Sequence, residues 1–102
     1  MKKTNQNTNG TSFQDVTFKA SIQQLINVFG EPDYEDNTGN DKTNFEWVME
    51  TDDEKVFMIY DWKEYRELDP NEQIEWHIGS HSRGISGEAQ YEVIRELGNY
   101  VD

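Results

Sequence analysis

Apolar side chains recur at two different spacings along this chain, and the change of spacing divides it into elements. In "ASIQQLINVFGEP", Ile22, Leu25, Ile26 and Phe29 follow one another at three- and four-residue steps, the period of a helix that buries one side. Ser21 precedes them with Gln24 three residues on, a capping-box pattern, and Gly30 and Pro32 follow as stop signals. From Phe45 the period falls to two. In "NFEWVMET", Phe45, Trp47 and Met49 alternate with Glu46, Val48 and Glu50, which predicts a strand. "KVFMIYDW" predicts a second strand with Val56, Met58, Tyr60 and Trp62 on one side and Phe57, Ile59 and Asp61 on the other. "QIEWHIG" predicts a third, where Ile74, Trp76 and Ile78 alternate with Glu75 and His77. A helical period returns after Ser86, carried by Ala89, Val93, Ile94 and Leu97, until Gly98 ends it.

The expected order is αβββα, preceded by a polar, flexible tail over residues 1–12 with no periodicity. Residues 13–102 then form one α+β domain, a three-stranded antiparallel meander with two helices packed on one face. If the aromatic set points inward, the other face carries Glu46, Glu50, Asp61, Glu75 and His77 mixed with Val48, Phe57 and Ile59. Such a mixture of carboxylates and large apolar groups resembles a protein contact surface.

Composition adds one decisive feature, the placement of charge. The formal net charge is −12 over 102 residues. The segment from Glu31 to Glu75 holds sixteen acids against four bases, which accounts for the whole excess. That field repels nucleic acid and anionic membranes and attracts basic protein surfaces, so direct nucleic-acid or membrane binding is not expected. Three Trp, five Tyr and five Phe supply large side chains for a core. The absence of cysteine removes disulfides, thiolate metal sites and cysteine nucleophiles. No apolar run approaches the ~20 residues of a membrane span, and no export signal follows Lys2 and Lys3. A cytoplasmic protein is expected.

The chemical candidates cluster in "EWHIGSHSRGISGE". His77 and His81 lack a third ligand fixed by spacing, so no metal is expected. Ser80, His81 and Ser82 are nucleophile and base by type, but sequence neighbours seldom have triad geometry and no GxSxG elbow is present. Acid pairs such as Asp52 with Asp53, or Glu64 with Glu67, arise by chance in so acidic a segment. The loop is more plausible as an anion site, with Gly79, Gly84 and Gly87 allowing close approach and Arg83 supplying charge at a helix start. Its alternative is a plain strand-to-helix turn. No cofactor and no catalytic residue are assigned.

Four stretches occur here in order, "FGEP", "DKTNFEW", "IYDWK" and "EWHIGSHS", and together they resemble a family of small, mostly uncharacterised proteins of tailed bacteriophages. The resemblance covers residues 21–97. It implies a setting in the cytoplasm of an infected host, with host takeover or counter-defence as the task, and it transfers no chemistry residue by residue. Charge then points to one form of that task. Clustered carboxylates on a rigid sheet can imitate DNA phosphates and occupy the groove of a basic, DNA-binding host protein. The residues expected to do this are Glu46, Glu50, Asp52, Asp53, Glu54, Asp61, Glu64, Glu67 and Glu75. The alternative is a module for a phosphorylated nucleotide signal, built from Trp76, His81, Ser82, Arg83 and Tyr91. A homodimer through a sheet edge is a further option left open.

Overall fold

Ser21 opens the first helix as its spacing to Gln24 predicts. In the computed structural model, which describes residues 1–99, Gln24 N donates to Ser21 Oγ (3.1 Å) and Ser21 N to Gln24 Oε1 (2.8 Å). Helix α1 (Ile22–Phe29) therefore starts on a reciprocal cap. Gly30, at φ 86°, ends it, and its N–H donates to Ile26 O at 2.9 Å. The second helix, α2 (Arg83–Asn99), starts earlier than Ser86: the Ile85 N–H donates to Ser82 Oγ at 3.2 Å, so Ser82 is the cap. Ser86 is instead buried against the sheet, 2.6 Å from Ser80 Oγ.

The sheet corrects the expected three-stranded meander. It has six strands: β1 (Lys2–Lys3), β2 (Ser12–Ala20), β3 (Tyr34–Glu35), β4 (Phe45–Glu50), β5 (Val56–Tyr60) and β6 (Ile74–Ser80). Their spatial order is β1-β4-β5-β6-β2, with β3 also on β4, and every pair is antiparallel. The meander is the middle of this sheet. Strand β2, the first long one in the chain, lies beside the last, β6. The short β1 and β3 share the outer edge of β4, opposite Met49–Glu50 and Phe45–Glu46.

Residues 1–12 are thus not a free tail. Thr4 N and the Gln6 side chain reach Val48 O and the Glu50 carboxylate, and Thr11 Oγ1 bonds Thr8 O at 2.7 Å before β2 begins. The segment crosses from one edge of the sheet to the other. Two-residue strands are too short for any period to mark them, and the alternation of β2 is broken by a bulge between Phe13 and Thr17, where Asp15 has φ 62°.

The phase of β5 is the second correction. Trp47 pairs with Ile59, Ile59 with Ile78, and Met49 with Phe57, and cross-strand partners share a face. Phe57 and Ile59 therefore point into the core with Trp47 and Trp76, while Met58, Tyr60 and Trp62 lie on the opposite face. Trp47 and Trp76 meet edge to face at 5.6 Å, and their indole N–H groups donate to Gly30 O and Ala20 O at 2.9 Å each. Ile22, Leu25 and Phe29 of α1 and Ala89 and Val93 of α2 join the same buried cluster. Both helices of the described residues pack on this buried side, which leaves the other face of the sheet without a helix among those residues. Among the described residues no helix is long and apolar enough to cross a membrane.

Candidate functional site

The uncovered face is organised in rows by the strand register. One row runs Thr17, His77, Tyr60, Glu46 across β2, β6, β5 and β4, and the next runs Phe13, Gly79, Met58, Val48. Phe13 stacks on His77 with centroids 4.1 Å apart, His77 lies 5.6 Å from Tyr60, and Trp62 stands edge-on to Tyr60 at 6.1 Å. Four rings so form a continuous band, and its ends are open to solvent, Phe13 39% and Trp62 40% exposed.

Trp62 lies just past the end of β5, and two loops hold it there. The Asp61 carboxylate is fully buried and accepts from the backbone N–H groups of Asn44 (2.8 Å) and Phe45 (2.9 Å). Asn44 Nδ2 donates to Arg66 O and Asn37 Oδ1, and Leu68 N donates to the same Asn37 oxygen. At Gly39, φ 79°, an added Cβ would stand 2.4 Å from Arg66 N, so the loops touch where no side chain fits. The Lys63 N–H donates to Lys42 O at 2.7 Å. Both lysine ammonium groups consequently converge on the Trp62 ring, at 5.9 Å for Lys42 and 5.5 Å for Lys63.

Beside the band lies a cleft of about 220 Å³ lined by Tyr60, Trp62, Met58, Gly79, Glu46 and Thr43, together with Thr11 and Ser12. The Thr43 hydroxyl donates to Glu46 Oε2 at 2.8 Å and so fixes the carboxylate. Burial, and after it the Glu46 charge, raises the Tyr60 phenol above its ordinary pKa. Burial lowers the His77 pKa, against the opposing pull of Glu75 and Asp61.

The nine carboxylates expected to act as one array are divided by the fold. Asp61 is internal, and burial raises its pKa against the pull of the Phe45 and Asn44 amides. Glu50 is buried under Thr4 and Gln6, whose hydrogen bonds lower its pKa. Asp52 is tied to the Met1 amine and to Arg95, which lower its pKa in that order, and its own N–H donates to the buried Glu92 carboxylate at 3.0 Å. Asp52 therefore joins the hairpin to α2 while its side chain stays more than half exposed. Asp53 and Glu54 are exposed at the hairpin, and a hydrogen bond from the Glu88 carboxyl to the Asp53 carboxylate raises the Glu88 pKa. Glu64 and Glu67 sit on the loop after β5, and Glu75 is exposed on β6, where Thr17 Oγ1 donates to it at 3.4 Å. Of the nine, Glu46 alone lines the cleft.

The alternative constellation is not brought together. Trp76 is fully buried in the core and offers no face to a ligand. His81 is exposed beside Gly10, Ser82 is spent on the helix cap, and Arg83 opens α2. Tyr91 lies eight residues further on, roughly 12 Å along the helix axis. The Ser80 hydroxyl donates to Ser82 O at 2.7 Å and is not paired with the His81 imidazole. Among the described residues no group of three or more His, Asp or Glu side chains is placed to hold a metal ion.

Sequence reasoning missed Phe13, Tyr60, Trp62, Met58, Lys42 and Lys63 as surface groups. The alternation of Val16, Phe18 and Ala20 with Thr17 and Lys19 marks β2 and could have found the strand that brings Phe13 to His77. No protein-family model matches the chain, and neither a curated protein nor a solved structure matches it. Thr43 and Glu46 of "DKTNFEW", Tyr60 and Trp62 of "IYDWK" and Gly79 of "EWHIGSHS" line the cleft.

Proposed function

We propose that this chain is a non-catalytic interaction protein that holds a basic protein partner on the open face of its sheet. One observation carries the reading: an aromatic band with exposed ends lies on a sheet face that no helix of the described residues covers, in a molecule whose net charge is −12. Trp and Tyr are the residues that most often dominate binding energy at the centre of an interface, and the surrounding acids speed and orient the approach of a cationic surface. Glu46 and Glu75 lie on this face, with Glu64 and Glu67 on the loop that follows β5. Imitation of DNA is the special case in which the partner binds nucleic acid. The phage resemblance makes a bacterial host the place to look.

The test is retention from bacterial lysate on the immobilised protein, read at rising salt. A basic protein should be held at low salt and released as the Debye length shrinks from ~10 Å at 0.1 M to ~3 Å at 1 M. Trp62→Ala should lose that protein while remaining folded. Added DNA should compete if the partner is a nucleic-acid-binding protein. Equal retention by the Trp62→Ala variant would remove the open face from the proposal, and failure of DNA to compete would end the imitation of DNA.

A further inference from the structure

The cleft beside Trp62 is small, and its chemistry is one-sided. At about 220 Å³ it falls short of the ~300 Å³ at which pockets for drug-sized ligands begin, yet it is open enough for one long side chain. Its lining includes two electron-rich rings, Tyr60 and Trp62, and a single carboxylate, Glu46, among the hydroxyls of Thr11, Ser12 and Thr43. Glu46 Oε2 accepts one hydrogen bond from Thr43, which leaves Oε1 and a second lone pair of Oε2 without a donor among the described residues. A flat cation satisfies both demands together, stacking on the rings and pairing with both carboxylate oxygens. An ammonium satisfies them less well, because it is a point charge with no plane to stack.

The protein already shows that cations settle on this indole. Two ammonium groups lie within the ~6 Å range of cation–π attraction. Lys42 and Lys63 are exposed, and among the described residues neither has a carboxylate within ion-pair distance. They can swing aside, and nothing internal is broken when they do.

We infer that the cleft takes an arginine side chain of the basic partner, with its guanidinium stacked against Trp62 and Tyr60 and paired with the Glu46 carboxylate. This rests on the reading above and names the group that the open face recognises. Charge complementarity selects the occupant: the one carboxylate in the cleft is fixed and unneutralised, and the molecule around it is strongly acidic.

The test is a nuclear magnetic resonance titration of the whole protein with hexa-arginine amide, hexa-lysine amide and hexa-citrulline amide. Hexa-arginine should shift the Trp62 indole N–H and the Glu46 and Gly79 amides saturably. Hexa-lysine should bind about fivefold more weakly, and neutral hexa-citrulline should leave those signals in place. Trp62→Ala and Glu46→Gln should each weaken hexa-arginine about fivefold, with the dispersed spectrum of the fold retained. Gly79→Ala places a methyl 3.3 Å from Tyr60 Cε1 and should weaken binding without altering charge. Lys42→Gln with Lys63→Gln should tighten it, since two competing cations leave.

Weaker binding in that double variant would overturn the inference. Shifts spread over the hairpin and the loop after β5, unchanged by Trp62→Ala, would also overturn it while leaving an acidic protein-binding surface intact. Failure of any cationic peptide to bind at low salt would end both readings.

Discussion

The closed face of the sheet holds Trp47 and Trp76 edge to face, both fully buried, with each indole N–H donated to a backbone carbonyl. The open face holds Trp62 edge-on to Tyr60 at nearly the same separation, but 40% exposed and without such a bond. The side chain is the same; the difference lies in what completes it. On the closed face α1, α2 and β2 supply carbonyl acceptors and apolar walls, so the aromatic area is spent on folding. On the open face the strands alone supply the platform, and two lysines and a carboxylate take the place of the missing layer. Aromatic residues at strand spacing can therefore be core or contact surface within one sheet, and only the face they occupy separates the two.

This contrast is sharpest where it predicts stability. Trp76→Ala should cost about 3–5 kcal/mol through the cavity it leaves, and the loss of the bond to Ala20 adds to it. Urea denaturation should find the variant largely unfolded, and a midpoint near the wild-type value would place Trp76 wrongly. Asp61→Ala should cost about 1–3 kcal/mol, since it strands the Asn44 and Phe45 amides that its carboxylate serves. The same substitution should broaden the Trp62 signals, because Asp61 links the loops that present that ring. Trp62→Ala should change stability by no more than about 0.5 kcal/mol. A cost comparable to that of Trp76→Ala would show that the open face is core after all.

The smallest effect concerns His77, which belongs to the open band but is half-buried in it. Burial holds its pKa below the ordinary value of 6.5, so the folded state favours the neutral ring. The associated stability is complete above 6.5 and is lost as pH falls through the lower folded value. Thermal denaturation should show the wild type losing stability as pH falls below the ordinary histidine value of about 6.5, with a flatter profile for His77→Gln. The carboxylates with lowered pKa, Glu50, Asp52 and Glu72, act with the same sign but at lower pH, below the ordinary carboxylate range. A His77→Gln profile as steep as the wild type in the histidine range would remove His77 as the source of the loss, since those acids titrate only at lower pH.

What the sequence determined by itself is local. Ser21 and Gln24 start α1 and Gly30 ends it, because a cap is satisfied by atoms within a few residues. The strand spans of β4, β5 and β6 follow from period-two spacing, and the concentration of acids between Glu31 and Glu75 is visible as composition. Everything that required a partner far along the chain was decided only by the tertiary structure. Strand β5 is apolar on both sides, so its own pattern does not choose a face; pairing with Trp47 and Ile78, and the demand of Asn44 and Phe45 for an acceptor at Asp61, chose it. Strands β1 and β3 exist only as edges of β4, and β2 as an edge of β6. The carboxylates looked alike in sequence, yet Asp61 was drawn inside, Glu50 was covered by Gln6 and Asp52 was joined to Met1 and Arg95. A charge is free or occupied according to what the fold lays against it, and spacing along the chain carries no record of that.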